Sequence, residues 1–320
     1  MSPETFARHR RQNRRQTWLL VGGMAIVLAL TGWLLGGRSG LLAALVVSGV
    51  AAAWAPQASS KLLLRMYRAR PLPESAAPQI ARAFAALSGR GGLEPPPTLY
   101  YVPSQMPNAF AVGSGAQAAV AVTDGLLRML TLRELTGVLA HELSHIRHQD
   151  TRVMAVADVF SRMTSSLSQM GQFLLLLSLP ALFAGRAPLS TAGLLALVFA
   201  PAASVLLQMA LSRAREFDAD AGAAELTGDP EALAAALIKL ERWQLGPWWK
   251  RVLLPVPTTK QPAMLRSHPH TEERVARLRG LRGGEFAQLP AESPIPAGLE
   301  VLHLPPVGTR PRWRLNGAWY

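Results

Sequence analysis

Two histidines and a glutamate carry the strongest chemical signal in the sequence: His141-Glu142-Leu143-Ser144-His145. On a helix, residues four apart lie on one face, so both imidazoles can hold the same zinc ion. Glu142 is turned from that pair by roughly 100°, near enough to take a proton from a water at the metal. A catalytic zinc wants three protein ligands and one open position. His148 shares the face, but it lies about 10.5 Å along the axis from His141, too far to converge with the pair on one ion. It reads as a polar residue at the helix end, and the third ligand must come from another element. Glu216 and Asp220, four apart in Glu216-Phe217-Asp218-Ala219-Asp220, supply one. Glu216 can ligate, while Asp220 accepts the free N–H of a ligand histidine. Taken alone the two acids would suit a solvated helix face; behind the histidine pair the metal reading is preferred.

Composition narrows what surrounds this chemistry. The chain has 320 residues and a net charge of +13, yet only 17% of residues are charged and 49% are apolar. Soluble chains carry nearer a quarter charged residues, so the balance points to a membrane protein. The absence of cysteine excludes disulfides, iron–sulfur clusters, cysteine-type zinc fingers and a cysteine nucleophile. No G-x-x-x-x-G-K-[ST] occurs, which argues against a P-loop ATPase. Nucleic acid is excluded as a partner, since no basic stripe is interleaved with stacking aromatics.

Four stretches lack any charged residue: 16–37, 39–60, 163–185 and 187–212. Each is long enough to cross a hydrocarbon core of about 30 Å. Arg38 and Arg186 separate the members of each pair, which predicts two helical hairpins. Pro180, Pro188 and Pro201 interrupt the second, a tolerated feature of membrane helices. Arg8, Arg10, Arg11, Arg14 and Arg15 precede the first hairpin, and Lys61, Arg65, Arg68 and Arg70 follow it. By the positive-inside rule both ends face the cytoplasm and the Arg38 turn faces outward. A cleaved signal peptide is disfavoured, because a second apolar run follows at once. The juxtamembrane arginines suit anionic lipid headgroups, so the bilayer itself is a partner.

The elements that must position the site lie between and after the hairpins. Residues 78–87 read as a helix, followed by short β-like runs at 98–102, 108–112 and 118–123, as in a small antiparallel sheet. Helical spacing resumes at 124–130. Thr131 and Glu134 form a capping-box pair opening the histidine helix, expected to run through Gln149 and Asp150. A further helix carries Glu216 and Asp220 until Gly228 breaks it. Asp229 and Pro230 start the next, and Thr271 another, with Glu272 and Glu273 in its first turn. The expected organisation is a basic N-terminus over 1–16, a first hairpin over 17–60, a first catalytic part over 61–162, a second hairpin, spanning or membrane-associated, over 163–212, a second catalytic part over 213–283, and a proline-rich tail over 284–320.

In order along the chain, Pro107-Asn108-Ala109-Phe110-Ala111, the His141–His145 motif, Ser212-Arg213-Ala214-Arg215-Glu216-Phe217-Asp218-Ala219-Asp220 and Ser267-His268-Pro269 resemble the HtpX-type membrane zinc metallopeptidases, relatives of the CAAX prenyl proteases. The likeness runs from about Leu62 to Trp243, with a further segment from His268 to Arg274. It implies a mostly helical membrane protein whose catalytic domain is a zincin-like (gluzincin) helical domain with a small antiparallel sheet. It implies one zinc on His141, His145 and Glu216, and ATP-independent cleavage of membrane or misfolded proteins at the cytoplasmic face of a bacterial inner membrane. The substrates implied are membrane proteins or unfolded polypeptides, and the role implied is protein quality control. Four spans fit this type better than the prenyl proteases, which carry more. His270 departs from the family pattern, where a second proline is frequent, and the tail after about Gly284 has no counterpart.

Two residues keep alternative readings. By the resemblance His268 points into the cleft and stabilises the oxyanion; as an X-Pro residue it is equally a polar histidine in an extended loop. By the resemblance Asn108 lines the cleft on an edge strand and binds substrate; otherwise it closes the turn after Pro107. A CAAX-type processing enzyme and a non-proteolytic membrane scaffold are the alternatives for the whole chain. The topology has a direct test. A reporter fused after Arg38 should read extracytoplasmic and one fused after Arg70 cytoplasmic; an extracytoplasmic Arg70 fusion would overturn the orientation.

Overall fold

In the computed structural model, which describes residues 3–179, 191–245 and 271–281, the chain divides into two compact units. The first contains the described residues up to 8, residues 58–151 and the described residues from 215 onward; the second contains 9–57 and the described part of 152–214.

In the first unit a capping box starts the histidine helix. The Thr131 side chain accepts from the Glu134 N–H, and the Glu134 carboxylate accepts from the Thr131 N–H at 2.8 Å. Lys239 donates to the same carboxylate at 2.7 Å. Leu135, Leu139 and Leu143 of this helix are wholly buried, among side chains from a helix over Pro78–Arg90, the sheet, and a helix over Pro230–Leu245. Backbones approach closely at Gly137, where a Cβ would lie 2.7 Å from the Leu233 main-chain nitrogen. Only glycine lets the two backbones meet there.

Numbered along the chain, the helices are α1 (Pro3–Met66), α2 (Pro78–Arg90), α3 (Asp124–Met129), α4 (Leu132–Arg147), α5 (Asp150–Leu177), α6 (Thr191–Thr227), α7 (Pro230–Leu245) and α8 (Thr271–Gly280). The strands are β1 (Arg70–Pro71), β2 (Thr98–Val102), β3 (Ala109–Val112) and β4 (Ala119–Thr123), in the order β1-β2-β4-β3. The mostly helical class with a small sheet holds, but the sheet is mixed rather than antiparallel. β3 pairs antiparallel with β4, as a hairpin must, while β2 pairs parallel with β4, Thr98 opposite Ala119 and Val102 opposite Thr123. The physical reason lies in β4, whose five residues Ala119–Thr123 are all buried. An apolar run buried on both faces belongs in the middle of a sheet, so β4 inserts between β2 and β3 and leaves β3 at the edge.

The histidine helix also stops earlier than expected. His148 caps α4, and Gln149 adopts a left-handed conformation, φ 57°, before Asp150 opens α5. A left-handed residue just past the last turn is a common helix stop, usually glycine. Gly228, φ 68°, ends α6 in that way, and Asp229 caps α7 by accepting from the Ala232 N–H at 3.2 Å.

In the second unit α1 is two helices meeting at Gly36 and Gly37, whose backbone is non-helical (Gly37 φ 56°, ψ −140°). The chain folds back so tightly that a Cβ on Gly32 would sit 2.7 Å from the Gly40 carbonyl oxygen. Among the described residues two helices are long and apolar enough to cross a membrane, Arg15–Trp54, which holds this reversal, and Gly193–Thr227. The expected run over 163–185 forms the end of α5 as far as Leu177 and is not one of these two; residues 180–190 lie outside the described residues. Large apolar side chains such as Trp18, Trp33, Trp54, Phe173 and Phe199 stand exposed on this unit, as on a surface that faces lipid.

Pro201 sits inside α6. Proline has no N–H to give the carbonyl four residues back, here that of Leu197. The Ser168 hydroxyl donates to that oxygen, and the Gln172 amide reaches it at 3.4 Å. Side chains of a neighbouring helix thus replace the bond that proline removes.

Candidate metal centre

Helix α4 presents His141 and His145 from consecutive turns, and α6 brings Glu216 across from them. The Nε2 atoms of the two histidines are 3.1 Å apart; His141 Nε2 is 3.5 Å from one Glu216 oxygen and His145 Nε2 is 3.8 Å from the other. One ligand atom from each residue lies within 4.8 Å of the others, so the three can hold one metal ion. A tetrahedral ion with ligands at about 2.0–2.2 Å needs donors at such spacing. His141 is 5% and Glu216 6% exposed, which keeps water from competing with the protein ligands.

Each histidine has a carboxylate behind it. His141 Nδ1 is 3.1 Å from an Asp220 oxygen, and His145 Nδ1 is 2.8 Å from an Asp150 oxygen. Asp220 follows Glu216 by one turn of α6, so a single helix face supplies both acids. Burial disfavours a charge on His141, yet Asp220 and Glu216 outweigh it and lift the imidazole pKa to about 10. The same anionic field favours a divalent cation. Glu142, beside His141, is half-buried on the flank of this cluster, and its charge reaches Arg274.

Arg274 was not visible as a site residue in the sequence. It lies on α8, 3% exposed, and holds both oxygens of Asp220, from Nε at 2.8 Å and from a terminal nitrogen at 2.6 Å. Its other terminal nitrogen is 3.1 Å from Glu216. Burial works against its charge, but Asp220 first, then Glu216 and Glu142, hold the guanidinium protonated above its ordinary range. The face of α8 gives the one available signal. Arg274 shares it with Val275 and Leu278, all buried, whereas Glu273, Arg277 and Arg279 take the outer side. A neighbouring contact seats the same helix, as Arg277 lies over the Phe217 ring at 3.7 Å.

Asn108 and His148 are placed less centrally. Asn108 is half-buried at the entry to the edge strand β3. Its main chain is fixed by Thr123, whose hydroxyl accepts from the Asn108 N–H at 2.8 Å and donates to the Asn108 carbonyl at 3.0 Å. His148 caps α4 with its ring 3.4 Å from the Ser144 hydroxyl. His268 lies outside the described residues.

The sequence pattern of peptidase family M48 matches residues 74–282. A protease HtpX homolog of Paraburkholderia phytofirmans is 38% identical over 85% of this chain and 98% of its own length. One of Ralstonia pickettii is 36% identical over 86% of this chain and 98% of its own. Among solved structures, the crystal structure of S. mikatae Ste24p aligns with a TM-score of 0.45 at 20% identity, covering 87% of this chain and 66% of that one.

The buried charges predict the effect of removing Arg274. Arg274→Ala leaves Asp220 and Glu216 without their cation, and breaking a buried pair in this way costs about 3–5 kcal/mol. Thermal unfolding of the chelated protein in detergent should show a large loss, and added zinc should recover part of it by supplying positive charge. An unchanged melting temperature would contradict the arrangement.

Proposed function

The chain belongs to peptidase family M48, and on that premise we propose a zinc-dependent endopeptidase that cleaves membrane or misfolded proteins at the cytoplasmic face of a bacterial inner membrane. The observation that carries this reading is the convergence of His141, His145 and Glu216 within 4.8 Å, with a carboxylate, Glu142, at the next position. The metallopeptidase activity, a metal ion, polypeptide substrates and membrane embedding follow from the family and its HtpX relatives. Zinc is supported by the donor set, two imidazoles and one carboxylate with a position left open. The cytoplasmic face is supported by the arginines flanking the first hairpin, ATP independence by the lack of a P-loop motif, and the inner membrane by the bacterial origin of the relatives. Quality control fits an enzyme that engages loosely folded segments near the bilayer.

His141, His145 and Glu216 would hold the zinc, which would supply Lewis acidity and bring the pKa of a water toward about 7. Glu142 takes the proton of the attacking water and returns it to the leaving amine. Asp220 accepts the Nδ1–H of His141, which leaves the Nε2 lone pair for the metal. Arg274 fixes Asp220 in turn. We assign to β3 the docking of an extended substrate, since an edge strand offers unpaired N–H and C=O groups, with Asn108 at its start. Main-chain pairing carries little side-chain information, so selectivity should be broad. His268 is assigned to the oxyanion.

Glu142→Gln tests this directly. The substitution keeps shape and removes the base, so cleavage of an unfolded substrate in detergent should fall by roughly 10²–10⁴ or more, with zinc content and folded yield unchanged. Asn108→Ala and His268→Ala should also keep zinc while cleaving more slowly. Equal cleavage by wild type and Glu142→Gln would remove Glu142 from the mechanism.

A further inference from the structure

The segment 152–214 leaves the first unit after Thr151 and returns at Arg215, and the two points of passage are tied together at a metal ligand. Asp150, the first residue of α5, is 2% exposed. One of its oxygens is 2.8 Å from His145 Nδ1, and the other accepts from Arg215 at 3.0 Å. Arg215, 9% exposed, also pairs with Asp218 one turn further along α6. The left-handed Gln149 makes this possible: it ends α4 and turns the chain so that a residue five positions beyond His145 reaches back to its ring.

We propose that Asp150 and Arg215 are positioning residues that set the metal affinity through His145, by clamping the start of α5 to α6 where both helices enter the catalytic unit. Asp150 holds the His145 proton on Nδ1, so Nε2 is the free donor. Arg215 holds Asp150 in place through a hydrogen bond from one terminal nitrogen. Spreading of α5 from α6 at this point would draw Asp150 away from the ring and weaken the site. The inference rests on the metal site proposed above and extends it to residues that do not touch the metal.

A bland role for Asp150 is as an acidic first-turn residue of α5, stabilising the helix alone. Asp150→Asn separates the two, because asparagine also serves a helix start but brings no charge to His145. The full-length protein in detergent would be stripped with chelator and titrated with zinc against a chromophoric competitor, with unfolding of the metal-free form measured in parallel. Outer-shell changes weaken metal binding by roughly 10–100-fold, and that loss is expected for Asp150→Asn and Asp150→Ala. Arg215→Ala should weaken binding in the same direction. The double variant Asp150→Ala with Arg215→Ala should bind no more weakly than Asp150→Ala alone, because the arginine acts through the aspartate. If Arg215→Ala does not fold, Asp150→Asn, of nearly identical shape, carries the test. Wild-type affinity in Asp150→Asn, with binding abolished in His141→Ala, would overturn the clamp and leave the site intact. Zinc retained by His141→Ala would instead overturn the site and the clamp with it.

Discussion

Glu216 and Asp220 are carboxylates inside a protein, 6% and 4% exposed and one helical turn apart. Bringing two such groups out of water costs several kcal/mol each unless positive charge meets them, and most of the catalytic unit is arranged around that need. Arg274 answers part of it with contacts to both acids at 2.6 to 3.1 Å. His141 answers another part through Nδ1, and a metal ion held by Glu216 with the two histidines would add further positive charge. The placement of α8 follows, since its arginine must reach the cluster and its apolar residues must close the core behind it. So does the close packing of α4, which Gly137 permits at the Leu233 backbone.

The second unit meets a different form of the same constraint, because a bilayer satisfies no backbone group. Its answers are local. Gly36 and Gly37 allow the reversal within α1, and Gly32 and Gly40 let the two arms touch. At Pro201 the carbonyl released by proline is taken up by Ser168 and Gln172 of α5. Polar side chains of α5 are thus used where a neighbouring membrane helix has lost a bond.

The parts of the site carried by local spacing were legible in the sequence. His141 and His145, and Glu216 and Asp220, are i,i+4 pairs, and helical periodicity alone puts each pair on one face. Strands β2 to β4 lie where alternation and flanking turn residues set them, because those signals are short-range. What escaped depends on long-range pairing. Arg274 was hidden because a charged residue in a short polar helix ordinarily faces water, and only its distant carboxylates draw it inside. Asp150 was hidden because the chain turns at Gln149, a left-handed position with no glycine to mark it. The sheet was expected to be antiparallel because strands close in sequence usually pair as hairpins; the full burial of β4 decides otherwise. The hairpin apex of α1 was placed at Arg38 by its charge, whereas the reversal needs the glycines just before it.

The central claim is that two histidines from α4 and one glutamate from α6 hold a single metal, and elemental analysis of the purified protein tests it most directly. Wild type should carry one zinc per chain. Glu216→Ala should lose it despite a normal folded yield, because two imidazoles alone make a weak site. His148→Ala, which alters the histidine at the cap of α4 outside the ligand set, should keep the wild-type content. Full zinc occupancy in Glu216→Ala would contradict the account, and would mean that the third ligand lies elsewhere in the chain.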